Sequence, residues 1–131
     1  MIDATSASAA MRVTDEFMAT FNARDASAHA GTLVYPHVRL AGGTVRTWKD
    51  ADQATRDMTA AFTWLIERLG WHYSEWDRRE VVHADVNKVH LDVAFTRYRD
   101  GGSIIARHQA IYVVERVEDC WGVRCRSSFA P

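Results

Sequence analysis

At Gly70 the hydrophobic pattern of this chain changes period, and nothing else in the sequence constrains the fold as tightly. Before Gly70 apolar residues recur at helical spacing; after it they alternate to the end of the chain. Such a chain puts its helices first and a meander of strands second, an α+β order in which the helices bury their apolar stripes on one face of the sheet. The first helical segment runs from about Ser8 to Arg24, with Phe17, Met18 and Phe21 inward and Arg12, Asp15, Glu16 and Arg24 toward water. Asp25 caps a short second helix, Ala26 to Ala30, which Gly31 ends. Asp50 caps a third, whose stripe is Met58, Phe62, Leu65, Ile66 and Leu69. Between them Pro36 forbids helix and pushes Tyr35 toward extended backbone. There His37 to Leu40 and Thr44 to Trp48 read as a hairpin turned at Gly42-Gly43.

Four longer strands follow, about Tyr73 to His83, Lys88 to Tyr98, Ser103 to Val117 and Trp121 to Phe129. The connections at Ala84 to Asn87, Asp100 to Gly102 and Glu118-Asp119 are short enough for hairpins. Alternation is cleanest in the second strand, where Val89, Leu91, Val93 and Phe95 point one way. His90, Asp92, Ala94, Thr96 and Tyr98 point the other way, so His90 and Asp92 belong to the outer face. That face carries polar residues mixed with large ones, and a sheet half-covered on one side often pairs with a second copy. A homodimer through the outer sheet face is therefore expected. No repeat, linker or low-complexity tract divides the chain, and residues 1–131 read as a single domain.

Charge narrows the partners. Sixteen basic against seventeen acidic residues give a net charge of -1, without the basic excess of a nucleic-acid binder or of a protein drawn to anionic membranes. Met1 to Ala10 lacks a basic segment followed by an apolar one, so it does not read as a signal peptide, and no run is long enough to span a membrane. Cys120 and Cys125 fall at opposite parity on one strand, which suits two free thiols in a reducing cytoplasm.

The stretches Phe21-Asn22-Ala23-Arg24-Asp25, Tyr35-Pro36-His37-Val38-Arg39, Phe95-Thr96-Arg97-Tyr98 and Trp121-Gly122-Val123-Arg124, taken with the element order, resemble a known superfamily. It is the cone-shaped one of nuclear transport factor 2, ketosteroid isomerases and SnoaL-like polyketide cyclases, and the chain most resembles its uncharacterised SnoaL-like branch. The resemblance covers nearly the whole sequence. It implies three N-terminal helices packed on a strongly curved, mostly antiparallel sheet, in the order α-α-β-β-α-β-β-β-β, around a central pocket. It also implies where ketosteroid isomerase chemistry would sit. The carboxylate base falls near Ala41, the helix tyrosine on Phe17, and the strand acid at Ile111 to Val113. That reading leaves no group at these positions to move a proton.

The same resemblance turns Tyr35, His37 and Arg39 inward on the short strand, and Arg126 and Ser128 inward on the last. His37 would be a general acid or base, and Arg39 and Arg126 the stabilisers of an anion or enolate. The plainer alternative is that they serve the fold. Phe17, Met58, Phe62, Trp64, Trp76 and Phe95 would supply apolar walls, although aromatics at these spacings more often form core. The six histidines form no His-x-His pair, no His-Glu-x-x-His helix and no cysteine–histidine cluster, so no metal is expected. No glycine-rich nucleotide loop and no nucleophile elbow at Ser127-Ser128 is present, so no cofactor and no acyl transfer are expected. Two functions remain. One is a domain whose pocket holds a small hydrophobic, anionic ligand without catalysis; the other is a cofactor-free proton-transfer enzyme, an isomerase, dehydratase or cyclase.

Overall fold

A computed structural model describes residues 2–131. Helix α1 spans Ala4–Asn22 and opens on Asp3, whose carboxylate accepts the Ser6 backbone N–H at 2.8 Å. It starts four residues before the sequence pattern suggests, because Ala4, Thr5, Ser6 and Ala7 carry no apolar stripe but follow a good cap. Helix α2 (Ala26–Ala30) is capped by Asp25, and helix α3 (Ala51–Leu69) by Asp50. Gly70 closes α3 in the left-handed region, at φ 69°, a conformation glycine adopts without steric cost.

The strands are β1 (Leu33–Ala41), β2 (Thr44–Trp48), β3 (Trp71–Ala84), β4 (Lys88–Arg99), β5 (Ile104–Val117) and β6 (Cys120–Ser128). They form one sheet in the order β2-β1-β6-β5-β4-β3. All neighbours are antiparallel except β1 and β6, which run parallel. Register shifts in the β3–β4, β4–β5 and β5–β6 pairs mark the bulges that curl the sheet.

Gly122 is what lets β6 close against β1. A Cβ there would sit 2.8 Å from Val34 Cγ1 and 2.9 Å from the Leu33 carbonyl carbon, closer than side chains pack. The adjacent Val123 N–H donates to the Thr32 carbonyl at 2.8 Å. Helix α1 lies across the inner face of β3 to β6. Phe17 and Ala10 pack there with Val89, Leu91, Val93, Tyr112, Val114 and Val123. A second cluster joins Phe62, Leu65 and Trp71, with Phe21 against it, where α3 meets the start of β3. The helices therefore cover the concave face but leave a space beside β1 and β6.

Candidate functional site

Three strands bring three arginines to that space. Arg39 on β1 stands beside Arg126 on β6 in the parallel register, and Arg126 stands beside Tyr112 on β5. Arg97 arrives from β4, two residues beyond Phe95 on the apolar side of the strand, and is only 7% exposed. Like charges beside each other on adjacent strands are destabilising, and a buried guanidinium is costly without partners. The partners here are few. Arg39 Nη2 donates to the Ala130 carbonyl at 2.7 Å and to a backbone oxygen of Pro131 at 3.4 Å. Arg126 Nε donates to His37 Nε2 at 3.1 Å. Among the described residues no aspartate or glutamate lies within 4.0 Å of any of the three. Arg39 Nε, Arg97 Nε and Arg97 Nη1 are buried with no hydrogen-bond partner.

These arginines border two lobes of one cleft. The larger, about 140 Å³, is walled by Met58, Trp64 and Leu65 of α3, with Phe21, His29 and Leu33. The smaller, about 40 Å³, is walled by Phe17, Met18, Trp76, Phe95, Tyr112 and Ser128. Asp57 is the acid at the rim, and it already accepts from Arg46 at 2.9 Å and from Trp48 Nε1 at 2.7 Å. The site is thus apolar in its walls and cationic at its centre.

A family model described as NTF2-like protein (DUF6841) matches residues 8–127. The chain belongs to this NTF2-like family. Solved structures share the fold at low identity. A protein of unknown function with a cystatin-like fold from Nostoc punctiforme superposes with a TM-score of 0.78 at 9% identity, over 99% of this chain and 94% of the other. Aln2 from a Streptomyces species superposes at 0.75 and 19% identity, over 98% and 94%. A ketosteroid isomerase-like protein from Erwinia carotovora atroseptica superposes at 0.65 and 16%, over 92% and 94%. No curated protein matches the sequence. The cone-shaped α+β architecture implied by the resemblance is the observed one.

Inside this NTF2-like domain His37 is fully buried, and both ring nitrogens are engaged. The Val123 carbonyl, 2.8 Å from Nδ1, can only accept, so Nδ1 carries the proton and the Nε2 lone pair receives Arg126. Burial, then the Arg126 charge, push His37 down to about 3. It has no free lone pair with which to take a proton from a substrate, which corrects its expected role as acid or base. Its geometry orients Arg126 instead. His29 is also pushed down to about 3, by burial and then Arg126. Burial, reinforced by Arg39 and Arg126 and opposed by Tyr112, brings Arg97 down to about 10.

The other expected residues divide. Arg39, Arg126, Met58, Trp64, Phe17, Trp76, Phe95 and Ser128 border the cleft. Two do not. Tyr35 bends back so that its hydroxyl donates to the Ala30 carbonyl at 2.7 Å, and Phe62 is spent in an edge-to-face contact with Phe21 and a stack on Trp71. His90 and Asp92 form no dyad: His90 Nδ1 meets His83 Nδ1 at 3.1 Å, and Asp92 pairs with Arg78. Sequence reasoning missed Arg97, Tyr112 and His29. The alternation that placed Val89 to Phe95 inward, extended by two residues, places Arg97 inward too. Tyr112 is the inward residue of the Ile111 to Val113 window, so a phenol stands where no proton-bearing group was expected. Burial raises its pKa, opposed by Arg126. For His29 the five-residue helix α2 offers no periodicity to read.

Because His29 and His37 are neutral in the folded domain but protonate in the unfolded chain near 6.5, their contribution is complete above that pH. It declines as pH falls toward about 3, by about 1.4 kcal/mol per pH unit for each histidine. Urea unfolding should show stability dropping by about 2 to 4 kcal/mol between about pH 7 and pH 5. In His37→Gln, which keeps a donor and an acceptor but no titrating proton, the drop should be roughly halved. A flat profile over that range would contradict this electrostatic picture.

Proposed function

We propose that this NTF2-like domain binds a small acid, its anionic group received by Arg39, Arg97 and Arg126 and its apolar body held by the walls of the larger lobe. The observation that carries the reading is three buried or half-buried guanidiniums, two of them, Arg39 and Arg97, with orphaned N–H groups, and no acidic side chain beside any of the three. Each orphaned buried donor costs about 1–3 kcal/mol, and more when charged. A sequence that holds three such atoms in one cleft is storing instability that an anion would relieve. Size supports a modest ligand, since an apolar cavity of about 150 Å³ holds benzene, close to the larger lobe.

The alternative, cofactor-free proton transfer, has lost His37 as its base. Tyr112 in the smaller lobe would be left as a hydrogen-bond donor beside Arg126, with its pKa raised, and the neutral His29, held down at about 3, would be a weak base in the larger lobe. Binding without catalysis is therefore the better-supported reading. For a partner we propose a second copy of the chain on the outer sheet face, where Ile111 is 45% exposed beside half-buried Val113. Sedimentation equilibrium should show a dimer that Ile111→Lys dissociates; a wild-type monomer would remove this proposal.

Calorimetry with benzoate tests the ligand reading. Wild type should bind, and Arg97→Met should weaken binding by on the order of tenfold or more. Stability of that variant should be unchanged or higher, because an unpaired buried charge is replaced by an apolar chain. Arg97→Lys, with the charge but not the fork, should bind at an intermediate level. Benzoate binding that ignores both substitutions would sink the reading.

A further inference from the structure

The charge gathered in the cleft exceeds what one carboxylate balances. Over the whole chain acids and bases nearly cancel, at a net charge of -1. Locally they do not. Arg39, Arg97 and Arg126 border both lobes, and the rim acid Asp57 is matched by Arg46. No acidic side chain touches the three arginines. The Ala130 carbonyl and a backbone oxygen of Pro131 hold Arg39, and the uncharged His37 holds Arg126. Against three guanidiniums a monoanion would leave positive charge unbalanced in a partly desolvated space, where charge interactions are stronger than in water. A dianion would balance one charge more.

Hydrogen-bond capacity points the same way. Arg39 Nε, Arg97 Nε and Arg97 Nη1 each lack an acceptor, and they sit on side chains that enter from two separate strands. One carboxylate offers two oxygens, whereas a phosphate group offers three terminal ones and a pair of neighbouring carboxylates four. Arginine's rigid fork is the side chain best matched to such groups. The apolar body is bounded by the lobes themselves, about 140 Å³ and about 40 Å³, which admit roughly one ring.

We propose that the ligand of this cleft carries a doubly charged head group, as an aryl or alkyl phosphate monoester or a closely spaced dicarboxylate does, on an apolar body of about one ring. The inference rests on the anion-binding reading and specifies the charge of the anion. Its most direct reporter is pH, because the protein contributes few charge changes of its own near neutrality. His29 of α2 and His37 of β1 are held down at about 3, and His108 of β5 is also lowered, by burial and then by Arg97 and Arg39. Tyr112 of β5 and Cys125 of β6 are raised by burial, so both stay protonated. On α3 the facing acid is Asp57, paired with Arg46 of β2. The second proton of a phosphate monoester leaves near pH 6, so its affinity should report the ligand's own charge.

The experiment is calorimetric titration of the whole chain with benzoate, phthalate and phenyl phosphate at about pH 5 and about pH 7.5. Phenyl phosphate should gain on the order of tenfold in affinity across that interval, while benzoate changes far less. At the higher pH both dianions should bind about tenfold or more tighter than benzoate, and the tighter of the two names the head group. Arg97→Met should reduce the advantage of the dianions more than it reduces benzoate binding. If benzoate binds but phenyl phosphate and phthalate are no tighter and phenyl phosphate shows no pH gain, the double charge is wrong and the anion reading stands. If none of the three binds, both fall.

Discussion

The parallel pairing of β1 with β6 is the contact on which the rest of the site depends. It joins the first hairpin to the end of the meander, and so closes a curled sheet that would otherwise stop at β6. It also sets Arg39 directly beside Arg126, with Tyr112 next in line. Two guanidiniums at neighbouring register positions repel, so the pairing forms against local electrostatics. What holds it is apolar and geometric: Gly122 lets the strands approach, Val123 is fully buried, and the Val123 carbonyl fixes the His37 ring. His37 then holds Arg126 without neutralising it. The cleft is therefore cationic because the backbone makes it so, and the fold tolerates the arrangement through contacts elsewhere.

That division explains why a buried histidine near an arginine was misleading as a catalytic signal. A histidine in an active site needs one nitrogen free for substrate, and here one nitrogen is spent on a carbonyl and the other on Arg126. Burial and the adjacent charge keep it neutral, which is the state that can accept from a guanidinium. The same neutral-acceptor logic makes the arginine available. A carboxylate in place of His37 would have pinned and neutralised Arg126; an imidazole orients it and leaves its charge for a ligand.

Much of the architecture was legible from periodicity. The switch at Gly70, the caps at Asp25 and Asp50 and the short turns placed every element, although α1 starts earlier than its apolar stripe, on Asp3, and β1 starts at Leu33, before Pro36. Pairing between β1 and β6 was not legible, because a parallel contact between distant segments leaves no local pattern and Gly122 looks like any other strand glycine. At the site, the family resemblance turned Arg39 and Arg126 toward the cleft they border, and the alternation of β4, followed to its end, would have carried Arg97 there too. Tyr35 and Phe62 do not reach it: the Tyr35 hydroxyl finds the Ala30 carbonyl, and the aromatic cluster around Trp71 absorbs Phe62. Those outcomes are decided by which partner each side chain reaches in three dimensions. Solved relatives below 20% identity share the fold with this chain, and a fold of this kind hosts many functions.

The central claim is that the arginines are held unpaired for a ligand. A crystal structure grown with 4-bromobenzoate, its bromine located by anomalous scattering, tests it directly. The account predicts a carboxylate within hydrogen-bond distance of Arg97 and of Arg39 or Arg126, with the ring against Met58 and Trp64. An empty cleft in which Arg39 and Arg97 have turned onto aspartate or glutamate side chains of the protein would contradict it.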